Sequence, residues 1–218
     1  MNKLRLAGGL LALSIFSVAC SGPATVEEKP STEFAGLNKV SNSGFREAWA
    51  RPGAGLAQYK VIRVSDLVSA NAEIRQPQSS TRMRQDWELT PARQQALTQG
   101  WSNAMIAAAD KHAINTTGSG AKVIRVDAEI TRIAPSADLA QAEKAPSPTT
   151  VYTRDSGEAS IEIRLYDQAS NELLVVIRDS RRIGPRMWGR ASSVSASAEV
   201  RNLFNTWANQ LLLRIVGN

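Results

Sequence analysis

Two kinds of repetition, one with a period of two and one with a period near 3.6, divide this chain into elements. From Tyr59 to Leu67 (YKVIRVSDL) Tyr59, Val61 and Arg63 alternate with Lys60, Ile62 and Val64. The β-branched content of both sets predicts a strand covered on much of both faces. Ser69 to Asp86 is polar, contains Gln76-Pro77-Gln78, and reads as a loop. Thr90-Pro91 then supplies an N-cap followed by proline at the first helical position, and Leu97, Trp101, Ala104, Met105 and Ala108 recur at helical spacing. These predict a helix from Pro91 to about His112. Gly100 lies inside it and costs about 1 kcal/mol relative to Ala, a cost that makes sense where the helix packs closely.

The second half follows the same logic. Asn115 to Gly120 (NTTGSG) is a turn signal, after which Ile124, Val126, Ala128 and Ile130 alternate with Arg125, Asp127, Glu129 and Thr131 as in a half-buried strand. Ala134 to Thr150 carries Pro135, Pro146 and Pro148 and reads as an excursion at the rim of the sheet. Ala159, Ile161, Ile163 and Leu165 alternate with Ser160, Glu162, Arg164 and Tyr166, and Leu173 to Ile177 is continuously apolar. Between them Asp167 to Asn171 (DQASN) forms a hairpin loop, with Asn171 suited to a left-handed conformation. Val200, Leu203, Phe204, Trp207, Leu211 and Ile215 form one helical stripe, with Arg201, Asn205, Asn209 and Arg214 largely elsewhere. The order β, α, β, β-hairpin, α predicts an α+β domain, a mostly antiparallel sheet of about four strands with two helices packed on one face.

The N-terminus carries an address. Lys3 and Arg5 precede the uncharged run Leu6 to Ala19, which has the length of a secretory h-region and is short of a bilayer span. Residues 1–19 are expected to be a signal peptide. The run ends in Ser17-Val18-Ala19-Cys20, which resembles the bacterial lipobox at Val18, Ala19 and Cys20, with Ser17 where that pattern usually has Leu. This implies lipidation of Cys20. Ser21 rather than Asp follows it, which by the sorting rule of Gram-negative lipoproteins implies the outer membrane, facing the periplasm. Residues 20–44 are rich in Ser, Thr, Pro, Gly and Glu and are expected to be a flexible tether with a reach of about 25 to 30 Å. A single periplasmic domain is then expected over residues 45–218.

Several short motifs together resemble a family of proteobacterial lipoproteins known as domain of unknown function 3313. They are Trp49-Ala50-Arg51-Pro52-Gly53, Leu56 and Tyr59-Lys60-Val61 in the first half, and Gly157-Glu158, Ile161 to Asp167, Ser170-Asn171-Glu172-Leu173-Leu174 and Asp179-Ser180-Arg181-Arg182 in the second. The resemblance spans roughly residues 45 to 183. It implies a location and an architecture; the family brings no established activity.

Composition narrows the function. With 218 residues, 43% hydrophobic and 21% charged, the chain has ordinary globular usage. Its formal charge of +6 falls to +4 once Lys3 and Arg5 are removed, which is too mild to point to nucleic acid. One Cys and one His are too few for a structural zinc site or an internal disulfide, and no metal or cofactor is expected. His112, the only imidazole, is placed at a helix C-terminus with no G-x-S-x-G motif elsewhere to partner it. The carboxylates Asp127, Glu129, Glu158 and Glu162 fall on the solvent side of strands, so no catalytic pair is expected. One stretch stands out: Arg178, Arg181, Arg182, Arg186 and Arg190 surround Met187 and Trp188 in a Gly- and Pro-containing segment. Arg, Met and Trp are enriched at interfaces, which makes Arg182, Arg186, Met187, Trp188 and Arg190 candidate partner contacts. The expectation is a non-enzymatic lipoprotein, held at the membrane by lipid on Cys20, that binds an envelope protein or an anionic envelope glycan or lipid. The alternative is an envelope-modifying hydrolase with an unrecognised active site.

Overall fold

In chain order the elements are β1 (Thr25–Pro30), β2 (Asn38–Ser41), β3 (Glu47–Ala50), β4 (Val61–Val64), β5 (Glu73–Ile74), α1 (Pro91–Lys111), β6 (Val123–Pro135), β7 (Tyr152–Thr153), β8 (Gly157–Asp167), β9 (Leu173–Ile183), β10 (Gly189–Arg190) and α2 (Ser193–Val216). They come from a computed structural model that describes residues 23–77, 87–118, 122–137, 152–153, 156–184, 189–190 and 193–217.

The hairpin of β8 and β9 is the centre of the sheet. Asn171 stands at φ 56° in its loop, the left-handed turn that its short polar side chain tolerates. Strand order is β1-β2-β3-β9-β8-β6-β4, with β5 also paired to β6. The β4–β6 and β5–β6 pairings are parallel and the others antiparallel. The sheet is therefore mixed and eight-stranded among the described residues, not four-stranded and mostly antiparallel as its hydrophobic pattern predicts. The parallel pairing of β4 follows from its connection, since α1 carries the chain back to the same end of the sheet. The four strands that the pattern does not show, β1, β2, β3 and β5, pair through their backbones and are only 6, 4, 4 and 2 residues long, too short to display a period.

Both helices cover one face. The N-cap Thr90 accepts from the backbone N–H of Arg93 at 3.4 Å, with Pro91 beginning the helix. Trp101 and Met105 of α1 and Phe204, Trp207 and Leu211 of α2 are fully buried in one cluster with inward positions of β6 and β8, including Ile124, Ile161 and Ile163. Gly100 marks the crossing of the helices: a Cβ built there stands 3.2 Å from Cδ2 of Phe204.

The opposite face carries a second, smaller cluster. Leu37, 0% exposed, packs with Trp49 and Val176, and the Phe34 ring meets Trp49 edge-on at 5.0 Å. Residues 25–41 thus belong to the sheet and its cover, which corrects the expectation of a flexible tether running to residue 44. The apolar residues Phe34, Leu37 and Val40 are sparse in sequence, yet Phe34 and Leu37 meet Trp49 and Val176 from other strands while Val40 packs on the main core, and these long-range contacts are what order the segment. Among the described residues no helix is long and apolar enough to cross a membrane.

Candidate functional site

A cavity of about 560 Å³ opens between the N-terminal halves of the two helices and the adjoining end of the sheet. That lies within the range of roughly 300 to 1,000 Å³ common to small-molecule sites. Leu97 of α1, Leu203 and Phe204 of α2, Ile130 and Ile133 of β6 and Ile183 of β9 make its walls. These are the same inward-facing positions that elsewhere fill the core. Here the sheet runs past the packed part of the helix pair, and Ala96 presents little side chain, so the space between the layers stays open.

Polar groups gather at the mouth. Trp87 is held there by Gln76, whose side-chain oxygen accepts from Trp87 N–H at 2.8 Å and whose amide donates to Trp87 O at 2.9 Å. The Arg93 guanidinium lies 4.6 Å from the centre of the Trp87 ring and donates to Glu88 O at 2.5 Å. Arg201 of α2 is exposed at the same cavity and makes no ion pair among the described residues. The nearby carboxylates are engaged. Ser180 Oγ and the Arg132 guanidinium each donate to Glu158 at 2.6 Å; the first above all holds its carboxyl below the ordinary carboxylate range. Ser156 donates to the carboxylate of Glu199. The buried indole N–H of Trp87 meets no acceptor among the described residues.

On the other face an ion network crosses the sheet. Glu162 is 7% exposed and salt-bridged to Arg164 and, at 2.6 Å, to Arg178. Arg178 also pairs with Glu33 at 2.5 Å and lies 5.1 Å from the Phe34 ring centre. The alternation correctly puts Glu162 on this face, but the face is partly covered, so the expectation of a solvent position is wrong for this carboxylate. These opposite charges satisfy one another and fasten the segment around Glu33.

Asp179 enters the sequence only as part of the motif Asp179-Ser180-Arg181-Arg182, with no role assigned to it. It occupies a helix-facing position of β9, is 6% exposed, and accepts from Trp207 Nε1 at 2.7 Å, Arg181 Nε at 2.6 Å and Arg46 N at 3.1 Å. A single Asp interrupting an apolar face looks like a strand end in sequence. Its three donors come from β9, α2 and the approach to β3, which sequence spacing does not connect.

The candidate contact residues are only partly in view. Cys20, Arg186, Met187 and Trp188 lie outside the described residues. Arg182 is exposed on β9, in register with Glu158 and on the face away from the helices. The backbone of Arg190 pairs with Tyr152. Ile183 and Ser197, on either side of this stretch, both line the cavity. His112 closes α1, its backbone N–H donating to Ala108 O at 3.0 Å.

Taken together, fold and site define a two-layer α+β domain that encloses an apolar cavity beneath a helix pair. The chain belongs to the protein family of unknown function DUF3313, whose model matches residues 30–211. That span takes in α1, most of α2 and all but the first residues of the sheet. No curated protein sequence matches the chain. Among solved structures it is similar to protein XCC0632 of Xanthomonas campestris, with 7% identity over 75% of this chain and 86% of that one and a TM-score of 0.41. It is also similar to a minor lipoprotein of Acinetobacter baumannii, with 11% identity, 73% and 94% coverage and a TM-score of 0.39. A third similar structure is the PelC dodecamer of Paraburkholderia phytofirmans, with 10% identity, 72% and 91% coverage and a TM-score of 0.36.

Proposed function

We propose that this chain is a lipoprotein anchored in the outer membrane through Cys20, facing the periplasm, and that its folded domain is a non-enzymatic module that binds an envelope component. The observation that carries the binding reading is the open apolar cavity with arginines at its mouth. A folded domain gains by filling such space with its own side chains, since each void forfeits packing energy. Space left open beside the exposed Arg201 suits a ligand better than a core.

The anchor rests on the run from Leu6 to Ala19 and the Cys20 that follows it. Two or more acyl chains on that residue would make attachment effectively permanent. Arg182, Arg186, Met187, Trp188 and Arg190 are the proposed contacts for a larger envelope partner, protein or anionic polymer. The test is labelling with palmitate followed by fractionation and crosslinking in intact cells. Wild-type protein takes up label and pellets with outer membrane, and Cys20→Ser does neither. In the same cells Trp188→Ala with Arg186→Ala removes the crosslinked partner while leaving the melting temperature unchanged. A Cys20→Ser protein that still pellets with outer membrane, or crosslinks that survive the double substitution, would overturn the corresponding part of the proposal.

A further inference from the structure

We infer that the cavity between α1 and α2 binds a single acyl chain that ends in an anionic head group. The inference deepens the binding-module reading and rests on it only for the source of the ligand. Three observations select the chemistry. The walls are aliphatic and aromatic, drawn from Leu97, Ile133, Ile183, Leu203 and Phe204, so the bulk of the ligand is apolar; burying each methylene gives a steady gain without requiring directional partners. Most of the polar lining, Gln99, Asn103, Ser197 and Arg201, is exposed, while the buried Ser156 is bonded to Glu199; polar groups toward solvent and apolar walls inside suit an amphiphile better than a sugar or peptide that is polar along its whole length. One cation of the rim is unpaired among the described residues. Arg201 stands exposed at the mouth with no ion pair, whereas the carboxylate of the lining, Glu158, is turned to Ser180 and paired with Arg132.

An anionic head group at that mouth gains charge-assisted hydrogen bonds from the Arg201 guanidinium, a group that suits carboxylate and phosphate oxygens alike. A cationic head group would meet like charge. Carboxylate and phosphate share this chemistry, so a fatty acid and a lysophospholipid are the two forms the ligand can take.

The test uses the full-length protein in phospholipid nanodiscs, photolysed with a diazirine-bearing palmitic acid and digested with trypsin. Adducts are expected on the peptides 94–111 and 202–214, which carry the helical walls of the cavity. Ala96→Trp adds bulk from an exposed position on the cavity wall and should reduce labelling of both peptides about tenfold, the equivalent of one decade in affinity. Arg201→Glu, at an exposed position, should leave melting unchanged and abolish the preference for the acid over a diazirine-bearing amine of the same chain length. Competition by palmitate but not by lysophosphatidylglycerol assigns a carboxylate head group, and the reverse assigns a phosphate. Labelling absent from both peptides, labelling unaltered by Ala96→Trp, or equal labelling by acid and amine overturns the inference. Failure of the anchor reading is seen separately, because Cys20→Ser would then fractionate with membrane whatever the cavity binds.

Discussion

The indole Nε1 of Trp207 donates to Oδ2 of Asp179 across 2.7 Å of buried space, joining α2 to the centre of the sheet. The bond gives α2 a fixed rotation as well as a buried stripe, since a helix held by apolar contacts alone can slide by a turn. Trp207→Ala removes a fully buried ring and should cost about 3 to 5 kcal/mol. Trp207→Phe keeps most of the ring and should cost about 1 to 3 kcal/mol, the range for leaving a buried polar partner short of a hydrogen bond. Asn205→Ala, exposed two residues earlier, should stay within about 0.5 kcal/mol. Urea unfolding followed by circular dichroism separates the three, and equal losses at 205 and 207 would contradict the assigned helix face.

Gly100 answers to Phe204. With a built Cβ only 3.2 Å from the ring, Gly100→Ala gains about 1 kcal/mol of helix propensity and loses a similar amount to crowding, so its net effect should be small. Gly100→Leu has no room for its branch and should destabilise by about 1 to 3 kcal/mol. A neutral Leu variant in thermal melts would mean that the helices separate more readily than this crossing implies.

How much of this was legible in the chain follows from the range over which each signal acts. The stripe from Leu203 to Ile215 is local, and all its members are buried. The N-cap at Thr90 and the left-handed Asn171 are local too, and both are present. Glu73–Ile74 was hidden because two residues pairing with β6 leave no periodicity to read. The burial of Glu162 depends on Arg164, Arg178 and Glu33, the last more than a hundred residues away in sequence. The cavity was not visible either. Its walls are ordinary core residues, and only the small side chain at Ala96 hints that a layer is left thin.

Tyr59 and Asp167 predict the shape of the stability curve with pH. Tyr59 Oη donates to Asp167 Oδ2 at 2.7 Å. With backbone donation from Ser170 first and this bond second, the carboxyl falls from 3.8 to about 2. Burial first and Asp167 second push the Tyr59 phenol from 10.0 up to about 12. A depressed carboxyl contributes stability that is complete above its unfolded pKa and is lost as pH falls from about 4 to about 2. A raised phenol contributes stability that is complete below its unfolded pKa and is lost as pH rises from about 10 to about 12. Tyr59→Phe should abolish the alkaline slope and weaken the acid one. Urea midpoints measured across pH would refute the pairing if the two proteins gave parallel curves.

Gly157 opens β8 at φ 132°, and a Cβ there would stand 2.3 Å from Ala134 O on the neighbouring strand. Backbone cannot yield as a side-chain tip can. Gly157→Ala should therefore destabilise by more than about 3 kcal/mol, through positive φ and overlap together. Gly53, also at positive φ but with nothing within 4 Å of a built Cβ, isolates the conformational part, and Gly53→Ala should cost about 1 to 2 kcal/mol. Equal losses in the two variants would show that the clash with Ala134 is relieved by movement of β6.

The segment before residue 45 offers the sharpest contrast between pattern and structure. A tether would tolerate any polar substitution and most deletions. A sheet edge that covers Trp49 and Val176 would not. Leu37 is 0% exposed, its N–H donates to Phe34 O at 3.1 Å and its carbonyl accepts from Ser31 at 2.7 Å, closing a compact turn over the second cluster. Glu33, inside that turn, is tied to Arg178, whose hydrogen bond holds its carboxyl below the ordinary range. Leu37→Ala should thus cost about 2 to 5 kcal/mol. Val26→Ala, on the exposed side of β1 at 41%, should cost within about 0.5 kcal/mol. A protein lacking residues 23–41 loses both β1 and β2 and leaves Trp49, Val176 and the outer edge of β3 open to solvent, an invitation to edge pairing between copies. Such a deletion should melt lower and associate, visible as a larger species in light scattering. A deleted protein that stays monomeric and melts with the full chain, together with a neutral Leu37→Ala, would return these residues to the role of a tether.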